Sequence, residues 1–298
     1  MSARPLLAIP NISEGRRQAT IASIAAAFTA GGSVRLLDVH SDMDHHRSVF
    51  TLAGAQGKLS SSLLAGARAA VGQVDVGAHR DPSDVGKHPH VGAVDVVPLV
   101  YLDAAQRGAA CAEALVVAHE IGEGLGVPVL LYGELAQGRT RAQLRRGGVG
   151  GLAKRLGTGE LAPDFGPSRS HPRAGATLVA AREPLVAFNI ELAPPAGVQE
   201  ARRIASLIRE GGVEGLAGVR AIGVSLRGGS VGQVSMNVER PLEVPLGAVV
   251  EAVRRHARIA CAELVGVAPR AALEGFPADV RLTGFDPVRH VIENALGF

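Results

Sequence analysis

Tryptophan is absent from this 298-residue chain, and aromatic residues of all kinds make up only 3% of it. A core must therefore be aliphatic, and base-stacking recognition of single-stranded nucleic acid lacks its aromatic platforms. Cysteine occurs twice, at Cys111 and Cys261, too few for a disulfide framework or a zinc ribbon. No run of 18 apolar residues exists, and "MSARPLLAIPNIS" has no secretory h-region, so the sequence predicts a cytoplasmic protein with no membrane partner. No block of Lys and Arg marks a nucleic-acid arm. The excess of +3 fits a basic cleft for a small anion better than a polyanion surface.

What the chain does have is aliphatic: hydrophobic residues are 47% of it, enough for a large domain or two ordinary ones. "LLAIPNI" (6–12) reads as a strand, and Ser13 as the cap of the helix that follows it. "VRLLDVH" and "SVFTLAG" read as strands, "GKLSSSLLAGARAAVGQV" as a helix, and "VGAVDVVPLVYL" (91–102) as another strand. A helix near 104–124, a strand at 127–133 and a short basic helix near 139–146 follow. The Gly/Pro/Ser/Arg-rich stretch 162–177 reads as a loop and domain boundary. Beyond it come a strand (183–192), a helix (197–212), a hairpin (219–226, 231–238), a helix (245–262) and a strand (263–269). Each half therefore runs β-α-β-β-α-β. The predicted class is α+β, with two ferredoxin-like α/β-sandwich subdomains at 1–175 and 176–298 and a ligand cleft between them.

Six of the ten histidines fall between positions 40 and 90. Histidine carries its proton near neutral pH, which suits acid–base chemistry and metal binding. In "DVGKHPHVGAVDVVP" (84–98), Pro89 holds His88 in extended geometry at the mouth of a strand, where an imidazole can face a ligand. "DVHSDMDHHRSVFTLAG" (38–54) contains Arg47, whose planar fork suits a carboxylate. His40, Asp42, Asp44 and His46 can chelate, yet neither HExxH nor CxxC spacing is present, and no metal is expected. Asn11 and Ser13 read as helix caps. Asn189 and Asn237 lie in strands, where a buried amide needs a partner.

Taken in order, "IPNISEGRR", "LLDVHSD…HRSVFTLAG", "GKHPHVGAVDVVP", "PVLLYGE", "PDFGPS", "GAT…AR…LVAFNIEL", "QVSMN" and "ELVGVAP" resemble the formiminotransferase domain of the glutamate formimidoyltransferases. The resemblance covers about nine-tenths of the chain, without the cyclodeaminase domain to which animal relatives are fused. It implies a folate-dependent transferase that moves a formimino group between N-formimino-L-glutamate and tetrahydrofolate, the co-substrate, in histidine breakdown. It further implies two ferredoxin-like subdomains, a homodimer, and folate and glutamate derivatives as its small-molecule partners.

The family motif "GEHPRMGALD" aligns with "GKHPHVGAVD", which places the family's acid–base histidine at His88. The family segment "DVDxGPxxNR" puts Asp38 and Arg47 on matching positions, with His40 in place of its second Asp and His46 in place of its Asn. The folate loop "GPSSFVPSWG" aligns with Gly166, Pro167, Ser168, Arg169, Ser170, His171, Pro172, Arg173, Ala174 and Gly175. There Ser170 replaces the Phe and Ala174 replaces the Trp. The resemblance thus implies catalysis by His88 and Asp38. It implies substrate binding by Arg47, His40 and the 166–175 loop, with Arg169 and Arg173 facing a folate glutamate tail. Formyl transfer or handling of 5-formyltetrahydrofolate, a non-catalytic folate or small-molecule binder, and a metal-dependent hydrolase stay open as other readings of the same residues.

Overall fold

Proline at position 10 has no N–H to give a ladder, and it divides the first strand. Two short pieces result, β1 (Leu6–Ala8) and β2 (Asn11–Ile12). They run along one line between β4 (Arg47–Gly54) and β5 (Val94–Val100), antiparallel to both. The computed structural model describes residues 4–77, 89–136 and 138–298. His88 lies outside the described residues.

The outer strand on the β4 side is β3 (Val34–Asp42), antiparallel to β4 and offset by a bulge between Leu36 and Asp38. On the other side of β5 stand β7 (Thr177–Arg182) and then β6 (Val129–Gly133), both pairs parallel. One face of this sheet packs on three helices, α1 (Gln18–Thr29), α2 (Leu59–Gln73) and α3 (Arg107–Leu125). Its core is aliphatic, as the scarcity of aromatics requires; Phe28 and Phe50 form one tilted ring pair with centroids 5.2 Å apart. The start of α2 is held by a side chain from another helix. The Glu113 carboxylate of α3 accepts the N–H groups of Gly57, Leu59 and Ser60 at 2.6–2.9 Å, which satisfies donors that a helix start leaves open.

The opposite face, over β5, β6 and β7, packs on α4 (Arg141–Arg145) and α5 (Gly148–Gly157) through Leu144, Leu152 and Leu156. Helix α4 carries a capping box between Thr140 and Gln143. The sequence reading found α4 but not α5, whose four glycines give it poor helix propensity. Two buried leucines one turn apart hold it against the sheet.

The second unit, Pro184–Phe298, contains β8 (Val186–Leu192), α6 (Val198–Ile208), β9 (Val219–Leu226), β10 (Val231–Val238), α7 (Leu246–Arg254), β11 (Ile259–Val265) and β12 (Leu282–Thr283). Its sheet order is β12-β11-β8-β10-β9, antiparallel except for the β11–β12 pair. The α6 and α7 side chains pack against this sheet in a separate core. Asn189 is buried in β8 and donates to Glu263 Oε2 at 3.0 Å, so its amide has the partner that burial demands.

Three expectations change. The compact units divide after Glu183, and residues 178–182, left unassigned between the predicted loop (162–177) and the predicted strand (183–192), form β7 with Thr177 inside the first sheet. The helix read over 245–262 ends at Arg254, and Ile259–Ala262 belong to β11. Pairing with β8 overrides the helical spacing of that Ala/Arg-rich run. Ser13 does not cap α1: the N-cap position is Arg17 with no side-chain bond, and the Arg16 and Arg17 N–H groups go to the Glu14 carboxylate.

Two effects compete at Gly66 of α2. A Cβ there would fall 2.1 Å from the Phe28 ring, and overpacking of a buried ring costs about 1–3 kcal/mol. Alanine is the better helix former by about 1 kcal/mol. The steric term wins because Phe28 is itself fully buried. Gly66→Ala should lower urea-unfolding stability by about 1 kcal/mol net; equal or higher stability would mean that the ring shifts aside freely.

Candidate active site

The site is organised around three residues just ahead of β5, Val91, Gly92 and Ala93. The Val91 N–H donates to Asp95 Oδ1 at 2.8 Å, and the Val91 carbonyl accepts from Ala176 N at 3.0 Å. Ser13 Oγ donates to the Gly92 carbonyl at 2.7 Å. Ala93 donates to the Ala174 carbonyl at 2.8 Å and accepts from Ser13 N at 2.9 Å. Three segments distant in sequence, 11–15, 91–95 and 171–176, are thereby joined. Glycine is required at 92, because a Cβ would lie 2.0 Å from the Ala176 carbonyl oxygen.

The 11–15 segment in turn grips the β3–β4 hairpin. Ser48 Oγ donates to the Glu14 carbonyl at 2.5 Å, and the Gly15 N–H donates to His46 Nδ1 at 3.1 Å. That bond leaves no proton on Nδ1, so a neutral His46 carries its proton on Nε2. A Cβ on Gly15 would meet the Asp42 carbonyl at 2.1 Å. His46 itself sits in the left-handed region with φ 48° at the end of the hairpin turn. On β3, Asp38 is buried and faces Thr51 across the ladder, while His40 faces Val49 and Asp42 faces Arg47. Alternation places Asp38, His40 and Asp42 on one face of the strand. Thr51 Oγ1 is buried with no hydrogen-bond partner among the described residues.

The 166–175 segment divides into two parts. Gly166 is held by its N–H to Glu123 Oε1 at 3.0 Å; Pro167, Ser168 and Arg169 are exposed. From His171 to Gly175 the chain closes on itself, with reciprocal backbone bonds of 2.9 Å between these two residues. His171 Nδ1 accepts from Ala174 N at 2.9 Å. Ser170 is half-buried, Pro172 is exposed, and Arg173 Nε donates to Asp75 Oδ2 at 3.2 Å. Ala174, in the place of the family's Trp, is 1% exposed and packs in the aliphatic core.

Two groups that sequence reasoning did not single out complete the geometry. Asp95, 1% exposed, uses Oδ1 for Val91 and Oδ2 for the guanidinium of Arg145, which reaches it from α4 and is itself buried. An acid inside an apolar strand was the available signal for Asp95; "RAQLRR" held none for Arg145. Arg47 is half-buried beside this pair. Desolvation and then the Arg145 charge push its pKa down to about 10, against the pull of Asp95 and Asp42, with Arg141 adding to the repulsion. It remains a cation at neutral pH. Among the described residues, no three His, Cys, Asp or Glu side chains come together to hold a metal ion.

Glu14 is fully buried. Burial alone raises its pKa, but the N–H groups of Arg17 and Arg16, the Arg17 guanidinium at 2.6 Å and the nearby His46 hold it below the usual carboxylate value. A lowered folded-state pKa stabilises above the ordinary value of about 4.3 and is lost as pH falls through the folded value. Glu14→Gln should therefore cost about 1–3 kcal/mol at pH 7, and the gap to the unmodified protein should close between pH 5 and the acid limit. Urea titrations across that range measure it; a gap independent of pH would assign the loss to packing.

Comparison with known proteins places the chain in a family. Residues 6–182 match the formiminotransferase domain, N-terminal subdomain, and residues 187–276 match the formiminotransferase domain. The chain is 34% identical over 297 residues to a glutamate formimidoyltransferase of Streptococcus pyogenes serotype M1, covering 97% of each. It is 33% identical over 291 residues to the glutamate formimidoyltransferase of Thermoplasma acidophilum, covering 93% of each. A formimidoyltransferase-cyclodeaminase of Sus scrofa is 37% identical over 283 residues, which span 89% of this chain and 50% of that protein. With both subdomain matches in order and similarity along nearly its whole length, the chain belongs to the formiminotransferase family.

Proposed function

We propose that the chain is a glutamate formimidoyltransferase, which moves a formimino group between N-formimino-L-glutamate and tetrahydrofolate. The observation that carries this is the joining of three motifs, "NISEG", "HPHVGAVD" and "SRSHPRAG", on Val91–Ala93 by hydrogen bonds. Relatives named for this activity match along nearly the whole chain.

The reaction is attack of a folate amine nitrogen on the amidine carbon of formiminoglutamate. A tetrahedral adduct forms, the attacking nitrogen loses a proton, and the glutamate nitrogen leaves after gaining one. A single group titrating near the working pH serves both transfers, for about 10²–10⁴ in rate. His88 is the residue we assign to that shuttle. Asp38, buried on β3, orients the shuttle or holds the amidinium charge, with His40 two residues along on the same face. Arg47, a cation beside Asp42, holds a substrate carboxylate. Gly166–Gly175 form the folate loop, with its exposed part at Pro167–Arg169. Arg173 is paired with Asp75, which leaves Arg169 as the loop's arginine for a folate glutamate tail.

The sheet of the second unit runs β11-β8-β10-β9, with helices between β8 and β9 and between β10 and β11. This order supports a ferredoxin-like subdomain, and β3-β4-β1/β2-β5 repeats it in the first, extended by β7 and β6. None of the described helices is long and apolar enough to cross a membrane. A homodimer and a cytoplasmic location complete the proposal.

The test is an assay of formiminoglutamate with tetrahydrofolate, run beside 5-formyltetrahydrofolate as the competing substrate. His88→Ala should keep its melting temperature and lose about 10²–10⁴ in kcat. Near-normal turnover of the variant would remove His88 from the mechanism, and activity only with the formyl compound would reassign the substrate.

A further inference from the structure

Asn11 is not a helix cap. It lies in β2, ahead of α1, whose N-cap is Arg17. Its Nδ2 donates to the Ile9 carbonyl at 2.9 Å. A carbonyl oxygen can only accept, so the Asn11 amide turns its nitrogen toward Ile9 and its oxygen away. That oxygen, Oδ1, accepts no hydrogen bond among the described residues. Asn11 pairs with Val49 of β4, and Val49 pairs with His40 of β3. Asp38 pairs with Thr51, two residues further along β4. Alternation puts Asn11, Val49, Thr51, His40 and Asp38 on one face of the sheet. Ile12, Phe50 and Leu52 occupy the other face and pack in the helix-side core. His40 and Asn11 stand two strands apart, about 10 Å, with Val49 between them as an apolar floor. Both keep part of their surface in solvent, so this row is open to a solute, whereas Thr51 is fully buried.

We propose that Asn11 is a specificity-determining residue, whose Oδ1 accepts an N–H of the formimino group and selects that group against formyl. The proposal rests on the reading of the chain as a glutamate formimidoyltransferase. The two groups have the same shape and opposite hydrogen bonding. A formimino group on glutamate is an amidine, protonated at neutral pH, and both of its nitrogens present N–H donors and no acceptor. A formyl group in its place presents a carbonyl oxygen, which only accepts. Asn11 Oδ1 meets the first with a charge-assisted hydrogen bond and the second with an unmade one. The bond to Ile9 keeps the amide from turning over to offer Nδ2 instead, because the flip would set two acceptor oxygens against each other. Selection then comes from a fixed acceptor and not from the size of a pocket, which discriminates poorly between isosteres. Asp38, on the same face, is the carboxylate assigned above to the amidinium charge. Asn11 adds direction to an attraction that charge alone leaves undirected.

Calorimetric titration with N-formimino-L-glutamate and with N-formyl-L-glutamate, in the absence of folate, reads the selection without turnover. The unmodified protein should bind the formimino compound about tenfold more tightly or better. Asn11→Ala should bring the two affinities within about threefold of each other, through weaker binding of the formimino compound alone. Asn11→Asp keeps an acceptor and gives up the bond to Ile9, so it should retain the preference, which separates selection from support of β2. The assignment is overturned by equal affinities in the unmodified protein, by equal weakening of both compounds in Asn11→Ala, or by loss of the preference in Asn11→Asp. Binding of neither compound to the unmodified protein would overturn both the assignment and the functional reading. A preference that disappears in Asn11→Ala, in a protein that transfers nothing to tetrahydrofolate, would uphold the selection and overturn the functional reading. Normal transfer from formiminoglutamate, with the preference intact in Asn11→Ala, would do the reverse.

Discussion

The hydrogen-bonded clamp on Val91, Gly92 and Ala93 is the constraint from which the first unit takes its functional form. Five backbone groups of these three residues are engaged, by Asp95, Ala176, Ser13 twice, and Ala174. Each such bond contributes only about 1 kcal/mol net. Leaving these buried groups unpaired would cost more than that each, so the arrangement holds as a set. The close approach of the 174–176 segment to Gly92 excludes any side chain there. The clamp sets where β5 begins, and with it the position of Asp95 and the link through Arg145 to α4.

Buried carboxylates perform the same service elsewhere. Glu14 takes two N–H groups ahead of α1, and Glu113 takes three at the start of α2. In each case an ionised group leaves water only because oriented donors meet it. These acids organise backbone, whereas Asp38 and Arg47, the residues proposed to meet substrate, lie on the hairpin strands β3 and β4.

Much of this was legible beforehand. Apart from β7 and β12, the strands of both halves, the hairpins and the helices α1, α2, α3 and α6 follow from apolar spacing, which acts within a few residues. The hairpin residues Asp38, His40 and Arg47 were visible because acids, imidazoles and an arginine interrupt two apolar runs. Helix α5 was hidden by its glycines, and β7 by the turn residues ahead of it. The boundary between α7 and β11 was hidden because Ala and Arg suit a helix while the ladder with β8 decides otherwise. Ser13 has the right chemistry for a cap, yet a carbonyl 79 residues along the chain takes its hydroxyl.

The sequence by itself determined the alternation of elements, the aliphatic character of both cores and membership of the family, because these depend on local pattern and on motif order. Only the tertiary structure decided which polar groups meet. The partners Ser13 and Gly92, or Asp95 and Arg145, lie 79 and 50 residues apart. Their contact exists because strands from different parts of the chain pair in one sheet, a long-range arrangement that no local spacing encodes.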